Sequence, residues 1–202
     1  MEKRLTGLTR GSIRFDQDAF VDVVERLTSS GISFCVYAND RAGADAAAHG
    51  VRKAKRRREA STPAHSARRV ETLVLRSDAA EFARERDYAT WLAMAHEEDA
   101  PIRVLVTTDA CGPSSRDGDA PARVDVLVNR DCPQDAGAYR ARMANAFAET
   151  GDDCDGGHRA SVSRLVISIL GVSDADAWAR VSASLPRDVA ELSPHAFESM
   201  AR

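Results

Sequence analysis

Two β-branched runs flanking a turn-rich stretch do most to limit what this chain can fold into. Pro101 to Thr108 reads Pro-Ile-Arg-Val-Leu-Val-Thr-Thr, and Ala122 to Asn129 reads Ala-Arg-Val-Asp-Val-Leu-Val-Asn. Both alternate as a half-buried strand does. Between them, Asp109 to Pro121 is rich in Gly, Pro, Ser and Asp, the residues of turns. The pattern predicts an antiparallel hairpin over 101–129 with a helix before and after it.

The flanking segments extend the pattern. A strand is expected from Val70 to Arg76. A helix should follow from the capping-box-like Asp78-Ala-Ala-Glu81 to about Glu98. After the hairpin, Asp131-Cys-Pro-Gln134 should open a helix to Thr150, and Val162 to Leu170 reads as a last strand. Ser173 should cap a further helix carrying Trp178, Val181 and Leu185, and a final turn of helix is expected from Ser193-Pro194.

The order from residue 70 is then β-α-β-β-α-β followed by helix. That is the ferredoxin-like, split βαβ order, an α+β fold with an antiparallel sheet and its helices on one face. One strand face would carry Val70, Val74, Ile102, Val104, Val106, Val124, Val126, Val128, Leu165, Ile167 and Ile169. The other alternates Arg103, Arg123, Asp125 and Arg164 with Leu73, Leu75, Leu105, Leu127 and Val166. A face that apolar needs a cover: the N-terminal unit or a second copy of the chain, a homodimer.

Residues 1–38 form that N-terminal helix-strand unit, packing on the main domain at 70–202. Phe20, Val23, Val24 and Leu27 recur at helical spacing behind an N-cap at Asp16, and Gly31 ends the helix. Ile32 to Ala38 is the strand. Between the two parts, 39–69 is a basic arm. It has no large apolar residue between Tyr37 and Val70 except Val51, so it is expected to be mobile, with a short helix from about Asp45 to Glu59.

Charge is uneven. Residues 1–70 hold 14 Lys/Arg against 8 Asp/Glu, and residues 71–202 hold 14 against 23. Arg52, Lys53, Lys55, Arg56, Arg57 and Arg58 put six cations in seven positions, and Arg68 and Arg69 extend the patch. Such a run attracts phosphate backbones through charge and counterion release. The first expectation is therefore a non-catalytic binding or regulatory protein whose basic arm contacts an anionic partner, nucleic acid first and an acidic protein second. Against it stand the lack of interleaved aromatics and the bland alternative, a basic helix lying on the acidic body. The rival is a small-molecule enzyme or ligand sensor, with Arg103, Arg123 and Arg164 holding a carboxylate or phosphate on the open sheet face. A structural homo-oligomer is the third reading.

No GxGxxG, GxxxxGK[ST], HExxH or GxSxG occurs, which removes the common nucleotide, zincin and hydrolase readings but not every enzyme. No cofactor and no metal is expected. Asp152, Asp153, Cys154, Asp155 and His158 are ligand types in a short stretch, but their spacing fits a polar turn better than a zinc or calcium site. The four cysteines show no CxxC spacing and are expected to be free thiols, Cys111 the most exposed and Cys132 at a helix N-terminus. With no apolar run of about 20 residues and no secretory h-region, a cytoplasmic location and no membrane contact are expected.

Overall fold

The computed structural model describes residues 2–5, 14–61, 68–113, 120–147, 164–185 and 190–191. Seven strands lie in one sheet: β1 (Glu2–Leu5), β2 (Phe34–Ala38), β3 (Val70–Val74), β4 (Ile102–Thr108), β5 (Val126–Asn129), β6 (Leu165–Ile169) and β7 (Ala190–Glu191). Their order is β3-β4-β2-β5-β6-β1-β7, and every pairing is parallel. The α-helices are α1 (Arg14–Ser29), α2 (Arg41–Ser61), α3 (Glu81–Ala93), α4 (Ala136–Ala146) and α5 (Ala175–Ser182).

This overturns the ferredoxin-like expectation. The 101–129 stretch is no hairpin: β4 and β5 do not pair with each other but flank β2 on its two sides, both parallel to it. Alternation reports which face a side chain occupies, not which way its strand runs. The connection 109–125 exceeds the roughly dozen residues that a parallel crossover needs. Nor is β2 part of an accessory unit. It is the central strand, Phe34, Cys35, Val36, Tyr37 and Ala38 all buried, as expected of a strand covered on both faces.

Helices cover both faces, which is the second correction. On one, Phe20, Val21, Val24 and Leu27 of α1 and Ala44, Ala47, Val51 and Ala54 of α2 pack on Phe34, Val36, Val104, Val126, Ile167 and their neighbours. On the other, Tyr88 and Trp91 of α3, Tyr139 and Ala146 of α4, and Trp178 and Val181 of α5 cover Cys35, Tyr37, Leu105, Leu127 and Val166. The face that asked for a second copy is thus covered by the chain's own α3, α4 and α5.

The stretch read as an arm contains the 21-residue helix α2, longer than the short helix expected there. Six of its eight buried positions are small, Gly43, Ala44, Ala47, Ala48, Gly50 and Ala54, beside Val51 and Arg58. Alanine and glycine let it lie close to α1: a Cβ at Gly50 would stand 2.7 Å from Phe20 Cε1. Small size gave too little apolar signal to register as a buried stripe. Residues 62–67 of the stretch lie outside the described residues, as do the loop 151–160 with its Asp, Cys and His side chains, and the turn of helix expected at Ser193.

Two caps moved. The expected cap Asp78 makes no capping bond; α3 starts at Glu81, behind Ala80. Asp131 does not cap α4 either; Asp135 does, accepting from the Ala138 N–H at 2.8 Å. Gly31, with φ 73°, ends α1 as expected of a left-handed residue there.

Candidate functional site

In open parallel sheets, ligands bind outside the carboxyl ends of the strands, where neighbouring strands send their chains to opposite faces. Here that place lies between β2, which leads to α2 on one face, and β5, which leads to α4 on the other. Asn39 and Asp40 follow β2, Asp109 follows β4, and Arg130 and Asp131 follow β5.

Arg142 of α4 fills this crevice. Its side chain is wholly buried. Nε donates to Asp109 Oδ1 at 2.7 Å, and Nη2 to Asp109 Oδ2 at 2.6 Å and Asn39 Oδ1 at 2.7 Å. Nη1 donates to Asn129 Oδ1 at 3.1 Å and to the Asp131 carbonyl at 3.0 Å. A guanidinium has five N–H donors, so the chain itself occupies all of them. Asn39 closes the knot: its Nδ2 donates to the Cys132 carbonyl at 2.9 Å and its N–H to Asp131 Oδ2 at 3.1 Å. The aspartate expected to cap α4 is spent here, across the switch point. Asp40 caps α2 from the same edge, accepting from the Gly43 N–H at 2.7 Å.

Beneath the knot, the guanidinium lies over the Tyr37 ring, 5.4 Å from its centroid. Burial holds the Tyr37 hydroxyl well above its usual range. It raises the Cys35 thiol far above the usual thiol range too, the nearby Arg142 charge opposing only part of that. Cys111 and Cys132 are also buried, which corrects the reading of Cys111 as an exposed thiol. Cys132 precedes α4 and points Sγ at the Pro133 carbonyl, 3.5 Å away, rather than standing at a helix N-terminus. Among the described residues, no three His, Cys, Asp or Glu side chains are placed to hold a metal.

The eight cations of the basic patch divide by direction. Arg58 is buried, 6 % exposed, and donates to the Arg68 carbonyl at 3.0 Å. Lys55 Nζ donates to the Val70 carbonyl at 3.3 Å. Arg57 turns to α1, to Asp22 at 3.2 Å and Glu25 at 3.6 Å. Arg68 donates to the Ala100 carbonyl at 2.6 Å, and Arg69 pairs with Glu97 at 3.2 Å and Glu71 at 3.5 Å. Arg52 and Arg56 are exposed, one helical turn apart on the side of α2 away from the sheet, with Lys53 half-buried beside them.

The structure does not gather Arg103, Arg123 and Arg164 into one anion pocket. They precede or begin β4, β5 and β6, at the opposite end of the sheet from the knot. Arg103 is buried over Trp91, 4.6 Å from the ring centroid, and donates to the Arg123 carbonyl at 3.0 Å. Arg123 is exposed with φ 51°, and Arg164 lies over Phe147 at 5.9 Å. The knot itself was missed. Its members, Asn39, Asp109, Asn129, Asp131 and Arg142, come from segments up to 103 residues apart. The usable signal was a polar residue at the end of each apolar strand.

No protein-family model and no curated protein matches the chain. Solved structures do. A chain from the complex of the E. coli DEAD-box protein SrmB with regulator of ribonuclease activity A aligns over 97% of this chain and 91% of its own length, with TM-score 0.63 and 14% identity. A DEAD box protein from Methanococcus jannaschii aligns over 95% of this chain and 41% of its own, with TM-score 0.60 and 13% identity. S. cerevisiae Dbp5 L327V bound to RNA and ADP BeF3 aligns over 98% and 43%, with TM-score 0.60 and 13% identity. These alignments show a shared fold, a parallel sheet with helices on both faces. The chain spans less than half the length of the second and third of these. Among the described residues, no helix is long and apolar enough to cross a membrane.

Proposed function

We propose that this chain is a nucleic-acid-binding α/β domain that contacts phosphates through the solvent face of α2, chiefly Arg52 and Arg56. The observation that carries the reading is the division of the basic run. Lys55 and Arg58 donate to backbone carbonyls and the exposed Arg57 turns to the carboxylates of α1, whereas Arg52 and Arg56 stand exposed on one helical face. Cations presented that way, on a helix fixed to a packed sheet, attract a polyphosphate without reading its sequence. The likeness to Dbp5 bound to RNA supports the same class of partner.

The carboxyl-edge crevice offers less. Arg142 has no donor left for a ligand, and the sequence lacks the GxxxxGK[ST] loop that cradles nucleotide phosphates. Dbp5 is seen with ADP BeF3 as well as RNA. With the donors of Arg142 occupied, the reading for this chain is binding.

Fluorescence anisotropy with a labelled RNA oligonucleotide, titrated between about 50 and 200 mM salt, tests this. Log affinity should fall linearly with log salt. The double variant Arg52→Ala, Arg56→Ala should weaken binding and flatten the slope by somewhat under two. Salt-independent binding, or an unchanged slope in the double variant, would overturn the reading.

A further inference from the structure

Among the described residues three large apolar side chains are exposed, Phe82, Met143 and Val172, and Phe82 is the most open at 75 %. It is also the aromatic one. It sits in the first turn of α3, just past the turn that leaves β3. That turn is fastened to the start of α2: Arg41 Nη2 meets Asp78 Oδ2 at 2.8 Å, and Arg76 Nη2 meets Asp45 Oδ1 at 2.7 Å. The turn before Phe82 and the start of α2 therefore meet at the end of the sheet, with α2 on one face and α3 on the other. Along α2, Arg52 and Arg56 lie about 16 and 22 Å beyond Arg41 at 1.5 Å per residue.

Resting on the phosphate-binding reading above, we propose that the bound nucleic acid is single-stranded and that Phe82 is its base-stacking platform. The strand would run from Phe82 past the first turn of α2 to Arg52 and Arg56. An exposed phenyl ring has nothing to stack on in a duplex, whose bases are paired and covered, but an unpaired base offers a free π-face. Attraction comes from α2. Within α3, Glu81, Glu85 and Asp87 outnumber Arg84 and Arg86 by one, so this helix supplies no electrostatic attraction of its own. Stacking of this kind tolerates any base, so the binding has little sequence preference.

The test uses the full chain with a single-stranded RNA of about 12 nucleotides and a duplex of the same length. Anisotropy is read for the wild type, Phe82→Ala and Phe82→Trp, and for strands carrying 2-aminopurine. Phe82 is exposed, so these variants leave the core untouched. The single strand should bind more tightly than the duplex. Phe82→Ala should lose about tenfold for the single strand and nothing for the duplex, Phe82→Trp should keep the affinity, and only Phe82→Ala should lose the quenching of 2-aminopurine. Equal affinity for single strand and duplex, or an unaffected Phe82→Ala, overturns the stacking proposal; salt-sensitive binding in that case leaves the phosphate reading standing. No binding to either RNA overturns both.

Discussion

Arg142 and Asp109 meet side-on, in two hydrogen bonds of 2.7 and 2.6 Å, and join α4 to the end of β4. The geometry is the paired-donor, paired-acceptor fit in which arginine and carboxylate are strongest. Arg142 is fully buried and Asp109 partly open, so the pair is worth keeping only because the other three donors are also satisfied.

Removing the guanidinium should therefore cost more than one interaction. In Arg142→Ala, Asn39, Asn129 and the Asp131 carbonyl lose their donor together, and a cavity opens beneath the crevice. A loss of about 3–5 kcal/mol is expected, a large part of a typical domain's stability. Arg142→Lys should recover little of it, since a lysine has three donors and no planar fork. Urea unfolding reads both variants, with a lowered midpoint at unchanged slope. A midpoint within experimental error of the wild type would mean that the knot is not a structural element.

Gly50 gives a prediction in which two effects oppose. Alanine in a helix interior is favoured over glycine by about 1 kcal/mol. At Gly50, however, the added methyl would stand 2.7 and 2.8 Å from the Phe20 ring, which is itself 1 % exposed and cannot swing away. Overpacking of that kind costs about 1–3 kcal/mol. Gly50→Ala should be destabilising on balance, and Gly50→Ala with Phe20→Leu less so than the sum of the two single changes, by coupling across one contact. Denaturation of the four proteins in the cycle checks this. Additivity would mean that α1 and α2 do not press together at this point.

The faces of the sheet were legible in the residues; the order of its strands was not. Val70, Val104, Val126 and Ile167 share one buried face and Leu75, Leu105, Leu127 and Val166 the other, as their alternation indicates. Of the eleven residues assigned to the first face only Val124 packs on the second. Direction left no such trace, because period-two alternation is the same in parallel and antiparallel strands. The apolar second face was itself the missed sign, since two-sided burial is the habit of parallel sheets. Asp78 and Asp131 misled for a related reason. Each stands where a local rule expects a cap but is held by a distant partner, Arg41 for one and Asn39 for the other. Local rules fail where tertiary contacts claim a residue. The knot around Arg142 left only the polar residues at the strand ends as a trace, because long-range side-chain pairing has no sequence period.

Arg56 and Arg58 are two residues apart and should respond oppositely to the same change. Arg58→Ala removes a buried charge-assisted bond to the Arg68 carbonyl, so about 1.5–3 kcal/mol of stability should go with it. Arg56 is exposed; Arg56→Ala should leave stability within about 0.5 kcal/mol and act on RNA affinity alone. Thermal melts and anisotropy on the same preparations separate the two. If both variants lost stability, α2 would be packed on its outer side as well. If neither did, the inward turn of Arg58 would be worth nothing.

Cys35 connects burial to pH. Desolvation disfavours its thiolate and raises its pKa far above the usual range, with Arg142 pulling the other way by less. In the unfolded chain the thiol ionises near its ordinary value of about 8.5. The group's folded pKa is thus the higher one, so its contribution is constant below about pH 8.5 and stability is lost as pH rises above it. From this thiol alone the slope approaches 1.4 kcal/mol per pH unit once the unfolded form is ionised. The raised pKa of Tyr37 should steepen the loss above about pH 10, the ordinary tyrosine value. Cys35→Ala should abolish the first part of that slope, whatever it costs in packing. Chemical labelling is the independent check, with Cys111, Cys132 and Cys154 changed to serine. At pH 8 iodoacetamide should modify Cys35 only as fast as the protein opens, and at once in denaturant. Fast modification of the native protein would mean that β2 is not the sealed centre of the sheet.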